Sequence, residues 1–213
     1  MVTVSPDGLN AYYANKWGNS VDVFARDPGT GELTFVETLQ DGETDGLGNP
    51  IDGLFFTRFV TCSADGRHVY AAGELDDAVV LFDRDPDTGA LTIVETLVNG
   101  GTDGQGNTID ALGGPQSIAI SPDGQHVYVA SFPWEGFVTG AVALFERDDA
   151  TGRLTFVEGV FEDGTDSQGN FLERLSAGNH VTVSPDGDHV YVTGAPFAPV
   201  DLRDWITVFD RDA

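Results

Sequence analysis

Residues 118–130 read Ile-Ala-Ile-Ser-Pro-Asp-Gly-Gln-His-Val-Tyr-Val-Ala, two apolar-alternating runs around Ser121-Pro-Asp-Gly124. Pro presets the first corner of a tight turn, Asp bonds its own backbone and Gly takes positive φ. Alternation at period two, with β-branched and aromatic residues, is the pattern of a half-buried strand. The stretch is therefore an antiparallel hairpin, and its recurrence decides the fold. The motif returns at Ser5 and Ser184, and as Ser-Ala-Asp-Gly at Ser63, giving spacings of 58, 58 and 63 residues.

The neighbouring segments repeat in step. Strand A precedes each turn as Val2–Val4, Val60–Cys62, Ile118–Ile120 and Val181–Val183. Strand B follows as Ala11–Tyr13, Val69–Ala71, Val127–Val129 and Val190–Val192. Strand C is Val21–Phe24, Val79–Phe82, Val142–Phe145 and Ile206–Phe209. Strand D is Leu33–Val36, Leu91–Val94 and Leu154–Val157, after an Arg-Asp-x-x-Thr-Gly joint at Arg26, Arg84 and Arg147. No window carries a convincing helical period. Repeated four-stranded antiparallel meanders stacked radially make a β-propeller, so the chain is expected to be all-β with about 3.75 blades. The repeats fall at about 1–57, 58–115, 116–178 and 179–213, as one propeller domain or half-propeller; a β-sandwich fits this period less well.

Composition agrees and excludes whole classes of function. The 213 residues are 40% hydrophobic and 10% aromatic, enough for an extensive core, and 27 Gly with 10 Pro suit many short turns. Thirty-five acids against ten bases leave a formal charge of −25. Such a surface repels nucleic-acid phosphates and anionic membranes. No stretch approaches the apolar length of a membrane span. The single cysteine forms no intrachain disulfide and fits either side of a membrane. Lys16 is the only lysine beside nine arginines, and 25 of the 35 acids are Asp. A self-repelling, lysine-poor surface is the expectation for a protein adapted to high salt, with a melting temperature that rises with KCl.

The repeat Val-Ser-Pro-Asp-Gly-x-His-Val-Tyr-Val, followed by Val-x-Val-Phe-x-Arg-Asp-x-x-Thr-Gly-x-Leu-Thr-Phe-Val-Glu, resembles the lactonase-type (YVTN-like) β-propellers over nearly the whole chain. The resemblance implies the fold. It also implies a range of functions, among them 6-phosphogluconolactonase-like and carboxymuconate-cyclising enzymes. That family usually closes a ring of seven blades, whereas the fourth repeat here ends at Asp210-Arg-Asp-Ala213 and the chain begins directly on a strand A with no leader ahead of it. The chain is then a fragment of a longer propeller or closes in an unusual way. Two arcs related by a two-fold axis, a homodimer completing an eight-blade ring, are favoured over a cramped four-blade ring in one chain.

An up-and-down meander puts the nearly invariant A–B and C–D turns on one face and the variable B–C and D–A loops on the other. Variable loops on a rigid frame are where binding is built. Three B–C loops carry Trp17, Trp134 and Trp205, which suit stacking on a sugar, anchoring a protein, or covering blade tops. Strand A starts nearest the propeller axis. Alignment on the motif serine brings Met1, Phe59, Ser117 and His180 to one position, and Arg58, Gln116 and Asn179 to the position before it. The resemblance places a polar or His residue of this kind in the central pocket, making His180 and Arg58 the leading catalytic candidates. A neutral imidazole accepts a proton, and a guanidinium clamps a carboxylate or phosphate. Phe59, Gln116, Ser117 and Asn179 are the expected ligand-binding neighbours.

His68, His126 and His189 recur in one slot of each repeat and are expected to serve within their hairpins. The motif aspartates are expected to shape turns, Arg26, Arg84, Arg147 and Arg211 to pair with turn acids, and Cys62 to be a small buried hydrophobe. In the first D–A loop, Asp41, Glu43, Asp45, Asn49 and Asp52 stand at positions 1, 3, 5, 9 and 12 with Gly46 at 6, the spacing of a loop calcium site. The later loops lack the third ligand, and a shared Thr-Asp-x-x-Gly-Asn core also fits a plain tight turn. No cofactor is required by any motif. With no nucleophile elbow, zinc spacing or phosphate-binding Gly loop, the leading expectation is a binding scaffold presenting its loop face to a small molecule or protein; the alternative is a lactone-hydrolysing or ring-opening enzyme.

Overall fold

A computed structural model describes residues 1–132, 140–165, 169, 175, 178–194 and 205–211. The described residues form four antiparallel sheets and no helix. The first blade runs β1 (Val2–Val4), β2 (Asn10–Asn15), β3 (Ser20–Arg26) and β4 (Leu33–Gln40). The second runs β5 (Thr57–Cys62), β6 (His68–Gly73), β7 (Ala78–Arg84) and β8 (Leu91–Val98). The third runs β9 (Pro115–Ile120), β10 (His126–Ser131), β11 (Ala141–Arg147) and β12 (Leu154–Phe161). The fourth holds β13 (Gly178–Val183), β14 (His189–Gly194) and β15 (Trp205–Asp210). Strands pair in chain order within each sheet, the up-and-down connection expected of a propeller blade.

The core lies between blades, because a strand's alternate residues face opposite neighbours. Tyr12, Val21, Val23 and Leu39 of the first blade interlock with Val60, Val69, Val80 and Phe82 of the second. Tyr70, Val79 and Leu81 then turn the other way, onto Ile118, Val127 and Phe145 of the third. A third cluster joins Tyr128 and Val142 to Val181, Val190 and Val192. Each fully buried Val, Leu or Phe contributes about 1.5–3 kcal/mol, so every blade is held by its neighbours more than by itself. The inner strands adjoin in the order β1, β5, β9, β13. Among the described residues the four blades follow one another as an arc in that order. Val2 and Val4 on the outer side of the first blade are 54% and 48% exposed, and Ile206 and Val208 on that of the fourth are 66% and 50% exposed.

A polar buckle repeats at every blade junction on the turn face. Arg84 donates to Asp7 (2.7 Å), Asn10 Oδ1 (2.6 Å) and the Tyr12 hydroxyl (2.8 Å) of the preceding blade, and to its own Gly66 carbonyl (3.0 Å). Arg147 does the same to Asp65 (2.9 Å), His68 Nδ1 (2.8 Å), Tyr70 (2.8 Å) and Gly124 O (3.1 Å). Arg211 repeats it on Asp123, His126 Nδ1 (2.7 Å) and Gly187 O (3.1 Å). The arginines thus pair with turn acids as expected, but with those of the neighbouring blade. The histidine expectation is corrected in the same way: the imidazole accepts from the next blade's arginine and is not confined to its own hairpin. Burial, then the Arg147 charge, holds His68 below the usual histidine value. Burial opposes ionisation of Asp65, yet the Ser63 hydroxyl, the Arg67 amide and Arg147 together bring it down to about 2. Cys62 is half-buried against the first inter-blade cluster, and burial pushes its thiol up to about 11, which keeps it protonated.

Candidate functional site on the loop face

The inner strands of blades two to four each begin with a bulge. Pairing of β5 with β6 steps from Thr57–Gly73 to Phe59–Ala72, leaving Arg58 as the extra residue. The same step leaves Gln116 extra between Pro115 and Ser117, and Asn179 extra between Gly178 and His180. Bulges re-aim a side chain and recur beside functional sites. The three positions aligned from sequence are therefore one backbone feature, repeated in blades two to four with a different side chain each time.

Their surroundings differ. Arg58 Nη1 lies 3.3 Å from a carboxylate oxygen of Glu74, just past the end of β6. Lys16 Nζ, from the B–C turn of the first blade, lies 3.1 Å from the same oxygen. The Glu74 side chain is completely buried, whereas Lys16 and Arg58 keep 27% and 34% of theirs exposed. A buried carboxylate is retained only when paired. Here two cations hold it on one side while facing solvent on the other. Lys16 Nζ also sits 4.0 Å from the centroid of the Phe56 ring, and Trp17 meets that ring edge-on at 5.1 Å. Trp17 is 85% exposed.

The backbone is shaped to deliver this group. Phe56 adopts φ 62°, where the third blade has Gly114 at 64°. A bulky residue in the left-handed region costs about 1–2 kcal/mol and marks a place where the surroundings impose it. The Phe56 amide donates to Asn19 Oδ1 at 2.9 Å, as Gly114 does to Asp77 at 2.7 Å. Gly73 lets the D–A loop settle on this turn, since a Cβ there would collide with the Gly53 carbonyl.

The other expected site residues divide. His180 and Phe59, from blades four and two, are brought together with ring centroids 6.3 Å apart, and His180 and Asn179 are exposed. Gln116 is buried and donates to Gly114 O of its own blade at 2.8 Å, while Ser117 accepts from the Val181 amide of the fourth blade at 3.3 Å, a bond between blades. Trp205 is half-buried against the third inter-blade cluster, a covering role. Trp134 lies outside the described residues.

The residues at calcium-loop spacing separate into two groups. Asp45 is turned to its own loop, accepting from the Leu47 and Asn49 amides, from Asn49 Nδ2 and from the Ile93 amide of the next blade. Asp103 repeats this arrangement, as the tight-turn reading expects. Asp41 and Asp52 come together instead with Asp76 of the neighbouring turn, one oxygen of each lying within 4.8 Å of the others. Burial, and then neighbouring aspartates, raise Asp76, which accepts from the Phe55 amide. Asp41 accepts from the Gly53 and Leu54 amides. Neither Glu43 nor Asn49 joins this group.

Sequence reasoning missed Glu74 and Phe56 and passed over Lys16 except as the lone lysine. One signal was present: Lys16 and Glu74 occupy equivalent places in successive B–C turns and carry opposite charge.

Comparison with known proteins bears on this geometry. The profile of a family described as lactonase, 7-bladed β-propeller, matches residues 1–105 and 57–166. A 6-phosphogluconolactonase of Bacillus subtilis is 32% identical over 162 residues, which are 73% of this chain and 39% of the relative. The chain thus spans well under half the length of that relative. The structure of Pseudomonas aeruginosa periplasmic gluconolactonase superposes with TM-score 0.56 and 21% identity, over 98% of this chain and 53% of the other. Kuenenia stuttgartiensis hydrazine synthase superposes at 0.63 with 21% identity, over 99% and 50%. Those two likenesses speak to fold alone.

Proposed function

Because the chain belongs to the lactonase family of seven-bladed β-propellers, we propose that it opens a sugar lactone by hydrolysis at the loop face. The name of its sequence relative, 6-phosphogluconolactonase, supports an enzyme over the pure scaffold expected above. The observation that carries the reading is buried Glu74 gripping both Arg58 and Lys16, two partly exposed cations on a chain of charge −25.

In the proposed reaction water adds to the lactone carbonyl, the acyl carbon–ring oxygen bond breaks, and the proton released by water ends on the new hydroxyl. Negative charge gathers on the carbonyl oxygen in the transition state, where fixed cations act most strongly. Arg58 and Lys16 supply the positive charge that meets it, and Glu74 holds them in position. His180 is the proton acceptor of this reading, an imidazole on the strand start beside Phe59. Trp17 and Phe56 offer the apolar ring faces on which a sugar stacks. The acidic surface favours a neutral lactone at low salt, and screening at about 1 M, where the Debye length is roughly 3 Å, relieves the penalty on a phosphorylated one.

The test is acid release from gluconolactone and 6-phosphogluconolactone, measured above the spontaneous rate at low and high KCl. Turnover is expected, with Arg58→Ala lowering kcat/KM at least about 100-fold and His180→Ala lowering kcat. Absence of turnover on both lactones, or an unchanged rate in Arg58→Ala, contradicts it.

A further inference from the structure

We propose that a groove on the turn face, between the first and second blades, binds a small aliphatic carboxylic acid in its ionised form. The groove lies on the opposite face from the lactone chemistry and does not depend on it.

The buckle arginines carry the argument. A guanidinium has five N–H donors, and buried donors are bonded as a rule. Arg147 meets that count. Its Nε donates to Tyr70, Nη2 to Asp65 and to His68 Nδ1, and Nη1 to the Gly124 carbonyl and to Asp149 Oδ1 at 2.9 Å. Arg84, one junction earlier, repeats four of these five bonds. Its Nε reaches Tyr12, Nη2 reaches Asp7 and Asn10, and Nη1 reaches the Gly66 carbonyl. The second hydrogen on Nη1 has no partner among the described residues. The Arg84 side chain is only 2% exposed, so an unmade bond there is costly.

The partner that Arg147 has and Arg84 lacks is a carboxylate. Pro86 stands where the third blade has Asp149, in otherwise matching Arg-Asp-x-x-Thr-Gly joints. Pro86, Arg84 and Gly66 line a groove of about 260 Å³ at that place. Arg67 lines it too, stands where the third blade has Gln125, and pairs with no carboxylate among the described residues. Proline for an acid and arginine for an amide make this junction two charges more positive than the next, on a chain of −25. Asp7 and Asp65 border the groove, but each is already bonded by a buckle arginine, Asp7 by Arg84 and Asp65 by Arg147. The following junction has Asp188 in the place of Arg67, so the combination occurs once among the described junctions.

The groove also selects the ligand. One carboxylate oxygen accepts from Arg84 Nη1, as Asp149 does from Arg147, and the charge faces Arg67. The rings of Pro6 and Pro86 wall the rest of the molecule with carbon. They suit a short alkyl chain and penalise hydroxyls that would lose water against them, which disfavours an aldonate. The volume lies below the roughly 300–1,000 Å³ of pockets for larger ligands, so the acid is small.

Butyrate titration followed by backbone amide NMR shifts tests this, with sodium chloride and gluconate at equal ionic strength as controls. Saturable shifts confined to residues 5–8, 64–67 and 84–87 are expected, half-complete at about 1 mM, with neither control reproducing them. Pro86→Asp supplies the acid from within, as in the third blade, and is expected to abolish them. Arg67→Gln is expected to weaken binding at least about fivefold. Neither variant touches the loop face, so the result is distinct from that of the lactone assays. An absence of saturable shifts overturns the proposal. So do shifts that chloride or gluconate produces equally at these residues, or butyrate shifts that persist unaltered in either variant.

Discussion

The two faces of this arc are built on opposite rules. On the turn face every junction repeats one arrangement, in which Arg84, Arg147 and Arg211 reach back to an acid and to Asn10, His68 or His126. On the loop face the equivalent bulge residues are Arg58, Gln116 and Asn179, and no two are alike. A residue found in every blade has a task that every blade shares, which is to hold the next one. A residue found once is free to recognise something. The structure separates the two classes by opposite ends of the same strands.

The largest effect is expected from removing a buckle. Arg147 is buried and bonds to Asp65, His68, Tyr70 and Gly124. Arg147→Ala leaves those groups unpaired and should lower the free energy of unfolding by about 3–5 kcal/mol in urea denaturation. A loss below about 1 kcal/mol would place blade cohesion in the apolar clusters alone.

Glu74→Gln tests the other face. As a positioning change it should cut kcat by about 100-fold and leave KM less affected, with Glu74→Asp recovering part of the rate. An equal loss from Arg147→Lys, at matched folded fraction, would erase the distinction between the faces.

Acid should attack the turn face first. His68 and His126 are depressed by burial and by the next arginine, so the unfolded chain takes up protons that the folded chain refuses. Their contribution is complete above the ordinary histidine value of about 6.5 and is lost as pH falls below it. Asp7 and Asp65 lie at about 2 against burial that raises them, because hydroxyl, amide and guanidinium donors prevail. Their contribution is present above the unfolded value near 3.8 and disappears as pH falls toward about 2. Melting temperature should therefore decline in two steps, and replacing both histidines by Asn, which stands at this slot in the first blade, should remove the upper one.

The smallest expected change is in Trp17→Ala, whose exposed ring should alter unfolding by no more than about 0.5 kcal/mol while, on the proposed function, weakening binding of the aldonate that lactone hydrolysis yields. A larger stability loss would make it part of the frame.

The frame was legible because its signals are local and repeated. Ser-Pro-Asp-Gly turns, alternating strands and Arg-Asp-x-x-Thr-Gly joints each state their own geometry within a few residues. The partner of each buckle was not, since Arg84 and Asp7 are 77 residues apart and meet only when blades stack. The site was legible as an alignment: Arg58, Gln116 and Asn179 fell in one column. That this column is a bulge has no signature in side chains, because an extra backbone residue is registered only against a partner strand. Glu74 escaped because its burial depends on Lys16 and Arg58 arriving from two other elements. The Gln116–Gly114 and Ser117–Val181 bonds were not legible either, because polar side chains on an inner strand look the same from sequence whether they face a ligand or a backbone group.

Hydrogen exchange with and without an aldonate separates the faces most directly, since opening is read segment by segment. Recognition at the irregular face predicts slower exchange in residues 15–19, 54–59 and 73–77, with the hairpin turns unchanged. Protection confined to residues 5–10, 63–68 and 121–126, or none anywhere at saturating aldonate, would contradict it.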